Sequence, residues 1–291
     1  MRKELVAHLD PKSPVSETFR TLRTNIQFMN SNRRLRSLLV TSTMPGEGKS
    51  WVASNLAVTF AQAGKRVALI DADMRKGRVY SIFGVEPRPG LSNYLSAYFD
   101  KQEDQDLSRY LKTTVIENLY VIPAGNIPPN PSELLVRRQM RTLLEQLKNQ
   151  VDLVIIDGTP SKLVTDSVIL SRIVDSTIIV SAHNQTRKDD LERVIKDIKH
   201  VGGNVAGVVY NKIPVSSKKY NQTYYYSSNV TTMKSQPDYE AERRKLQQRT
   251  QNALSQNTRR NGNHSEQNIN KANEKDDWRK IVKEEKENKN F

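Results

Sequence analysis

The chain has 291 residues, a formal net charge of +14 and no cysteine. This length suits one α/β domain with an extension, or two small domains, and the lack of cysteine excludes a disulfide framework and any cysteine-ligated metal site. No apolar run approaches the ~20 residues of a membrane-spanning helix, and the polar segment after Met1 argues against a signal peptide, so we expect a cytoplasmic protein.

The composition changes sharply near residue 214. Apolar runs recur regularly before this point, whereas Asn, Gln, Lys, Arg, Glu and Ser dominate after it. A segment with so few apolar residues cannot bury enough surface to offset the entropy of ordering it. We therefore predict a globular domain at 1–214, a tyrosine-rich segment at 215–240 and a disordered polar tail at 241–291. Both parts are basic, which suits an anionic membrane surface or nucleic acid, or serves solubility alone.

The first predicted helix opens at Ser13-Pro14, where serine is a good N-cap and proline a good first helical residue, and runs to about Met29. Within it Glu17, Arg20 and Arg23 recur every three residues and share one face. Such a face is either solvent-exposed, with a weak Glu–Arg pair, or a contact between subunits.

The stretch Ser37–Ser50 contains an apolar run and a glycine-containing turn, and the helix-compatible run Trp51–Gln62 follows it. Strand, loop and helix in this order are typical of a phosphate-binding P-loop. In such a loop, backbone N–H groups cradle phosphate oxygens, Lys49 supplies a cation and the Ser50 hydroxyl a Mg²⁺ ligand. Thr43 replaces the first glycine of the full pattern, so a plain glycine-rich β-to-α turn is the alternative.

Acidic residues follow two further predicted strands. The strand Arg66–Ile70 leads into Asp71 and Asp73, and the strand Val151–Ile156 leads into Asp157. In an open parallel sheet, ligands bind outside the carboxyl ends of the strands, so these carboxylates should face the P-loop. Carboxylates there can hold Mg²⁺ and accept a proton, although helix capping alone would also explain a single acid.

The remaining elements continue to alternate between strand and helix. Asn130 as N-cap, Pro131 at the first position and Glu133 in a capping box predict a helix to about Gln150, and Asp166 is best explained as a cap of the next helix. The other segments are strands at Asn118–Ile122, Ser176–Val180 and Val205–Tyr210 and a helix at Lys188–His200. This alternation predicts an α/β fold with a doubly wound, mostly parallel sheet and helices on both faces.

Taken together, these motifs resemble those of the bacterial tyrosine kinases of capsule and exopolysaccharide synthesis, in the form where a separate membrane protein activates a cytoplasmic kinase. The resemblance covers about residues 13–214 and implies a P-loop NTPase-like fold, with ATP and Mg²⁺ as cofactors. It is carried by the stretches Glu17–Gln27, Pro45–Ser50, Leu69–Arg75, Pro128–Leu135 and Ile155–Pro160.

The resemblance also implies roles for individual residues. It assigns Lys49 and Ser50 to the Walker A motif, Asp71 and Asp73 to Walker A′ and Asp157 to Walker B. Lys49, Asp71 and Asp73 are then catalytic, and Ser50, Asp73 and Asp157 serve the metal. Asp71 is our candidate for accepting the tyrosine proton, but the choice between Asp71 and Asp73 stays open. The expected nucleotide contacts are Pro45, Gly46, Glu47, Gly48, Lys49, Ser50, Trp51 and Asn211.

The resemblance further implies self-association and autophosphorylation. Glu17, Arg20 and Arg23 match the family's self-association motif, so a homo-oligomer, such as a ring, is expected. The expected autophosphorylation sites are Tyr220, Tyr224, Tyr225 and Tyr226. One departure is Gly158, which stands where the family more often has a small hydroxylated residue.

The implied partners are a membrane-embedded activator or chain-length regulator and a phosphotyrosine phosphatase, with no nucleic acid. The protein would then be recruited to the inner face of the cell membrane and regulate the synthesis, chain length or export of a polysaccharide. The rival hypothesis is a regulatory or partitioning-type P-loop ATPase that binds DNA or membrane without kinase activity. Met44, at the position of a lysine that reaches across the dimer in such ATPases, and the tyrosine cluster both favour the kinase.

Overall fold

The computed structural model describes residues 4–29, 34–97 and 106–214. The predicted tyrosine-rich segment and polar tail, with Tyr220, Tyr224, Tyr225 and Tyr226, lie outside these ranges, and the predictions made for them stay predictions. No helix of the described ranges is both long enough and apolar enough to cross a membrane.

Within those ranges, seven strands form one sheet with the order β3-β4-β2-β5-β1-β6-β7. The strands are β1 (Ser37–Ser42), β2 (Val67–Asp71), β3 (Lys112–Thr113), β4 (Leu119–Ile122), β5 (Leu153–Pro160), β6 (Ser176–Ala182) and β7 (Val205–Asn211). Every neighbouring pair is parallel except the short edge pair β3 and β4. The mostly parallel sheet is therefore confirmed, and the antiparallel edge strand is an addition that the sequence did not reveal.

Helices cover both faces of this sheet. They are α1 (Val6–Leu9), α2 (Pro14–Met29), α3 (Lys49–Gln62), α4 (Val79–Phe83), α5 (Leu91–Ala97), α6 (Pro131–Val136), α7 (Arg138–Gln150), α8 (Asp166–Ser171) and α9 (Lys188–His200). Successive strand residues point to opposite faces, so Leu38 and Val40 join the core under α1 to α4, whereas Leu39 joins the core under α5 to α8. This is the doubly wound arrangement expected from the sequence.

Helix α3 lies deepest in the fold. Its central residues, Val52–Ala61, are all buried, because the sheet lies on one side of the helix and α1 and α2 pack on the others. A helix that is apolar or small on every side belongs in the interior. Its N-terminus, which carries the P-loop lysine, is thereby held at a fixed place above the carboxyl edge of the sheet.

The prediction of a single helix from Pro131 to Gln150 is wrong. The backbone is extended at Arg137, with φ −63° and ψ 154°, and this residue separates α6 from α7. The buried residues of α7 are Met140, Leu143, Leu144 and Leu147, and continuing that face backwards would bury Val136 and expose Leu134 and Leu135. The break shifts the helical phase, so that these two leucines are buried and Val136 is exposed.

Two local predictions at the neighbouring boundaries also need correction. Pro131 does occupy the first turn of α6, but the Asn130 side chain makes no capping hydrogen bond. Strand β5 continues beyond the predicted end at Ile156, because Pro160 at its end pairs with Ser42 of β1. As a result Asp157 lies within a strand rather than in the loop that follows it.

Candidate active site

The P-loop connects β1 to α3 at the carboxyl edge of the sheet. Strand β5 lies between β1 and β2, and the parallel register sets Asp157 of β5 directly beside Asp71 of β2. A cleft of about 310 Å³ opens here, lined in part by Gly46, Lys49 and Asp73. The sheet topology thus brings together the lysine and the acids that the sequence had placed on separate strands.

Lys49 is the centre of this group. Its Nζ lies 2.9 Å from Oδ2 of Asp73 and 3.8 Å from Oδ1 of Asp157, and it also donates a hydrogen bond to the Ser50 hydroxyl at 3.3 Å. Burial alone would lower the pKa of Lys49, but the nearby carboxylates of Asp157, Asp73 and Asp71 outweigh it and raise the pKa. Lys49 therefore stays protonated and offers a full positive charge to an anionic ligand.

Asp71 is fully buried beneath the cleft. Its Oδ2 accepts a hydrogen bond from the backbone N–H of Val79 at 2.9 Å, and its Oδ1 accepts one from that of Asp73 at 3.2 Å. Burial, together with the negative charge of Asp157, raises the pKa of Asp71 to about 8. This carboxyl group can therefore take up or release a proton near neutral pH, which a solvated aspartate does not do.

Asp157 is also fully buried, yet neither of its carboxylate oxygens has a hydrogen-bond partner within the described residues. Burial raises the pKa of Asp157, and Lys49 and the Ser50 hydroxyl offset this only in part. Two buried oxygens without donors are costly, and a hard cation that prefers oxygen ligands would relieve that cost. The donor set of Ser50, Asp73 and Asp157 therefore fits Mg²⁺.

This set is small for a metal site formed by protein alone. The described ranges contain no group of three or more His, Cys, Asp or Glu side chains arranged to hold a metal ion. Magnesium characteristically keeps several waters and binds through one or two carboxylates together with substrate phosphates. The geometry therefore suits Mg²⁺ that arrives with a nucleotide better than a resident metal ion.

The P-loop itself is held in a conformation that requires glycine. Gly46 and Gly48 have φ values of +81° and +100°, in the left-handed region that glycine adopts at no steric cost. A β-carbon on Gly48 would lie 2.2 Å from Nδ2 of Asn211, and that amide donates to the Glu47 carbonyl oxygen at 2.8 Å. Asn211, expected from the sequence to contact a nucleotide, thus contacts the loop directly.

Asp166 does not cap its helix, contrary to the sequence interpretation. Its buried carboxylate accepts hydrogen bonds from Nε of Arg75 at 3.1 Å and from the Ser132 hydroxyl at 2.5 Å, while Thr165 occupies the N-cap position of α8. Arg75 follows the Asp73 loop and lines the cleft. This three-residue network has no local signal in the sequence, and it fixes the loop after β2 against α6 and α8.

Several residues without a predicted role also line the cleft. Among them are Ile82 and Leu163, together with Trp51, which was expected to contact the nucleotide. Glu4, near the start of the chain, forms an ion pair with Arg78 at 2.8 Å, and both line the cleft. Only a long-range contact brings Glu4 here, so no local pattern could have identified it.

The residues of the predicted self-association motif lie outside the cleft. Arg20 pairs with Glu17 on the surface of α2 and also donates to the Pro11 carbonyl oxygen. Arg23 instead donates to the carbonyl oxygen of Thr59, on α3, at 2.8 Å. The motif therefore combines a surface pair with an arginine that fastens α2 to the P-loop helix.

Comparison with known proteins agrees with this geometry. A family model described as an AAA domain matches residues 36–207. The chain is 38% identical to the putative tyrosine-protein kinase CapB of Staphylococcus aureus, over 76% of this chain and 93% of that protein. It is 35% identical to the tyrosine-protein kinase YwqD of Bacillus subtilis, over 80% and 95% respectively. The crystal structure of the chimerical protein CapA2B2 superposes with a TM-score of 0.68 and 36% identity, covering 74% of this chain and 92% of that one.

Proposed function

This chain belongs to the family of bacterial tyrosine-protein kinases, and from that membership we propose that it transfers the γ-phosphoryl group of ATP to tyrosines near the C-terminus of a neighbouring copy of itself. The observation that supports this most is the meeting of Lys49 with Asp71, Asp73 and Asp157 at the end of the P-loop. A protonated lysine and several acids at one point are what phosphoryl transfer needs.

The P-loop would bind the phosphates of ATP. Gly46, Gly48 and Lys49 line the cleft at the N-terminus of α3, where free backbone N–H groups and the helix dipole favour anions. Lys49 would exchange its ion pair with Asp73 for one with the phosphates. Ser50, Asp73 and Asp157 would hold Mg²⁺, which supplies positive charge to the triphosphate when bound.

We propose that Asp71 accepts the proton of the tyrosine hydroxyl. A phenol has a pKa near ~10 and attacks poorly unless its proton leaves as the new bond forms. Asp71 has a raised pKa, which suits a base acting near neutral pH, but it lies beneath the cleft surface that Asp73 lines. Local movement around Asp71 would therefore be needed before a tyrosine hydroxyl could reach it.

Self-association would supply the acceptor tyrosines. If α2 holds copies together, the segment with Tyr220, Tyr224, Tyr225 and Tyr226 is presented to a neighbouring cleft at a high effective concentration. We further propose that a membrane-embedded activator recruits the protein to the inner face of the cell membrane. There the phosphorylation cycle, reversed by a phosphotyrosine phosphatase, would regulate capsular or exopolysaccharide synthesis.

Site-resolved mass spectrometry tests the proposal. The full chain is incubated with ATP and Mg²⁺, with and without the cytoplasmic segment of a candidate activator. We expect phosphate on Tyr220, Tyr224, Tyr225 and Tyr226, its loss in Lys49→Met and its persistence in Lys65→Met, which removes an exposed lysine beyond the other end of α3. Mixing the Lys49→Met chain with active, tail-truncated protein should restore the modification if transfer occurs between copies.

One outcome would favour the rival function. ATP hydrolysis without tyrosine modification under every condition, together with tight and salt-sensitive DNA binding, would indicate a regulatory ATPase.

A further inference from the structure

Thr186 lies in the turn after β6 and has a fixed hydroxyl group. The backbone N–H of Ala182, the last residue of β6, donates to Oγ1 of Thr186 at 2.8 Å. The backbone N–H of Thr186 donates in return to the Ala182 carbonyl oxygen at 3.1 Å. The hydroxyl oxygen thus accepts one hydrogen bond, and the hydroxyl proton is donated to Oε1 of Glu47.

Glu47 belongs to the P-loop but does not line the cleft. Pro45, Gly46, Gly48 and Lys49 line the cleft and Glu47 does not, and its exposed fraction is 2%. A buried carboxylate is costly unless it is hydrogen-bonded. Here both oxygens are satisfied, since Oε2 accepts from the backbone N–H of Met44 at 2.8 Å and Oε1 from Thr186.

These two contacts of Glu47 hold the P-loop on the side that faces away from the cleft. The bond to Met44 closes the loop on itself, whereas the bond to Thr186 ties it to the end of β6, a strand inside the sheet. On the cleft side the loop is open, because a β-carbon built on Gly46 would have no atom within 4 Å. Together with the bond from Asn211 to the Glu47 carbonyl oxygen, the hydrogen bond from Thr186 fixes the position of the loop in the absence of a ligand.

We propose that Thr186 is a positioning residue for the phosphates of ATP, acting through Glu47 to keep the P-loop in its binding conformation. The inference rests on the proposed use of this loop to bind ATP. An ordered loop spares the ligand the entropy of arranging it. Without the hydroxyl, the buried Glu47 carboxylate loses a donor, and the loop must move to satisfy it.

The test is the affinity of the full chain for ADP and Mg²⁺, measured by calorimetry for Thr186→Val and Thr186→Ser. Loss of a hydrogen bond to a buried charged group should raise Kd for the valine variant roughly ten- to a hundredfold. KM for ATP should rise in parallel while kcat at saturating ATP changes little, because the interaction is made equally in ground and transition states. The serine variant keeps the hydroxyl and should bind as the unchanged protein does.

A double-mutant cycle separates positioning from general damage. In a Glu47→Ala background, Thr186→Val should cost much less affinity for ADP than it does in the unchanged protein, because its partner in the loop is already absent. The bond that Thr186 accepts from the Ala182 N–H is lost in both backgrounds and cancels in the cycle. If the valine variant does not fold, Thr186→Ala takes its place in the same cycle. Unchanged affinity in the valine variant, an equally large loss of affinity without Glu47, or a serine variant as weak as the valine one would each overturn the proposal.

This inference and the proposed function can fail separately. Binding of ADP is measured without any tyrosine transfer, so a protein that binds ADP but phosphorylates nothing would refute the kinase proposal and leave the Thr186 comparison intact. If the unchanged protein does not bind ADP in the presence of Mg²⁺, both are overturned.

Discussion

Chemically identical side chains at this site have different surroundings. Asp73 forms an ion pair with Lys49 at 2.9 Å, and Asp71 accepts hydrogen bonds from two backbone N–H groups. Asp157 accepts no close hydrogen bond within the described residues and has only Lys49 at 3.8 Å as an ion-pair partner there. Environment, rather than residue type, divides the roles of neighbouring acids in such sites. This is why we propose one acid for the proton and the others for the metal.

The raised pKa of Asp71 predicts a distinctive pH dependence of stability. The folded protein keeps this proton up to a pH of about 8, whereas the unfolded chain releases it near ~4. The folded state therefore binds more protons between these values, and the free energy of unfolding falls as the pH rises, by on the order of 1 kcal/mol per pH unit at most. The pKa of Asp157 is raised as well and contributes a slope of the same sign, so the Asp71→Asn variant should have a clearly smaller slope.

Thermal unfolding of the nucleotide-free protein, with a chelator present and at several pH values between ~5 and ~8, measures the slope. Asp152→Asn is the control, because the backbone N–H of Arg66 lowers the pKa of Asp152. A lowered pKa affects stability only in more acidic solution, so this variant should shift the curve without changing its slope. Parallel curves for Asp71→Asn and the unchanged protein would contradict the assignment.

At the scale of the elements, the loop after β2 carries Asp73 and is fixed at Arg75 by contacts with two helices. Arg75 reaches the buried carboxylate of Asp166 at the start of α8, and the Ser132 hydroxyl near the start of α6 joins them. The extended backbone at Arg137 makes α6 an element separate from α7. A short helix, an arginine and a buried acid together support the site loop.

Replacing Arg75 should destabilise the protein, because the buried carboxylate of Asp166 then lacks its ion-pair partner. We expect Arg75→Met to lower the free energy of unfolding by roughly 1–3 kcal/mol, because Asp166 then loses both hydrogen bonds that Arg75 donates to it. The figure is at the low end for buried pairs because 41% of the Arg75 side chain is exposed. Urea unfolding measures it.

Adding Asp166→Asn to that variant should recover part of the loss, since the unpaired charge disappears. Arg187→Met is the matched control, because Arg187 pairs with Asp189 only on the open surface, and should change stability by less than about 0.5 kcal/mol. Equal losses for both arginines would refute a special role for Arg75.

The sequence predicts those elements whose signals are local. Helix α2 begins at Pro14, where Ser13 and Pro14 predicted its start, and Lys49, Asp71 and Asp157 could be brought together because parallel strands end at one edge. The contacts of Thr186 with Glu47 and of Arg75 with Asp166 join residues 139 and 91 positions apart. Such contacts depend on how loops pack, which no spacing pattern encodes.

At the scale of the whole molecule, α2 connects a surface to the interior. On one side it presents Glu17 and Arg20, and on the other it packs against α3, where the rings of Phe19 and Trp51 meet edge to face at 5.0 Å. Arg23 adds its hydrogen bond to the Thr59 carbonyl oxygen. A second copy that binds to α2 would therefore contact a helix that is packed directly against α3, the helix that begins at the P-loop.

The two arginines of α2 should behave differently when replaced. Arg20→Ala removes a surface group, so we expect a smaller assembly by mass photometry with little change in thermal stability. Arg23→Ala also removes the bond to α3, so unfolding should become easier by on the order of 1 kcal/mol. A mass distribution unchanged in both variants would argue against α2 as the contact between copies.

The contact between Phe19 and Trp51 gives the protein a natural optical probe. The chain has two tryptophans, and Trp51 stands in the first turn of α3 at the wall of the cleft. With Trp278 replaced by phenylalanine, all indole emission would come from this one ring. Its spectrum would respond to nucleotide on one side and to movement of α2 on the other, so a single titration could follow loading of the cleft and joining of subunits in real time without a label.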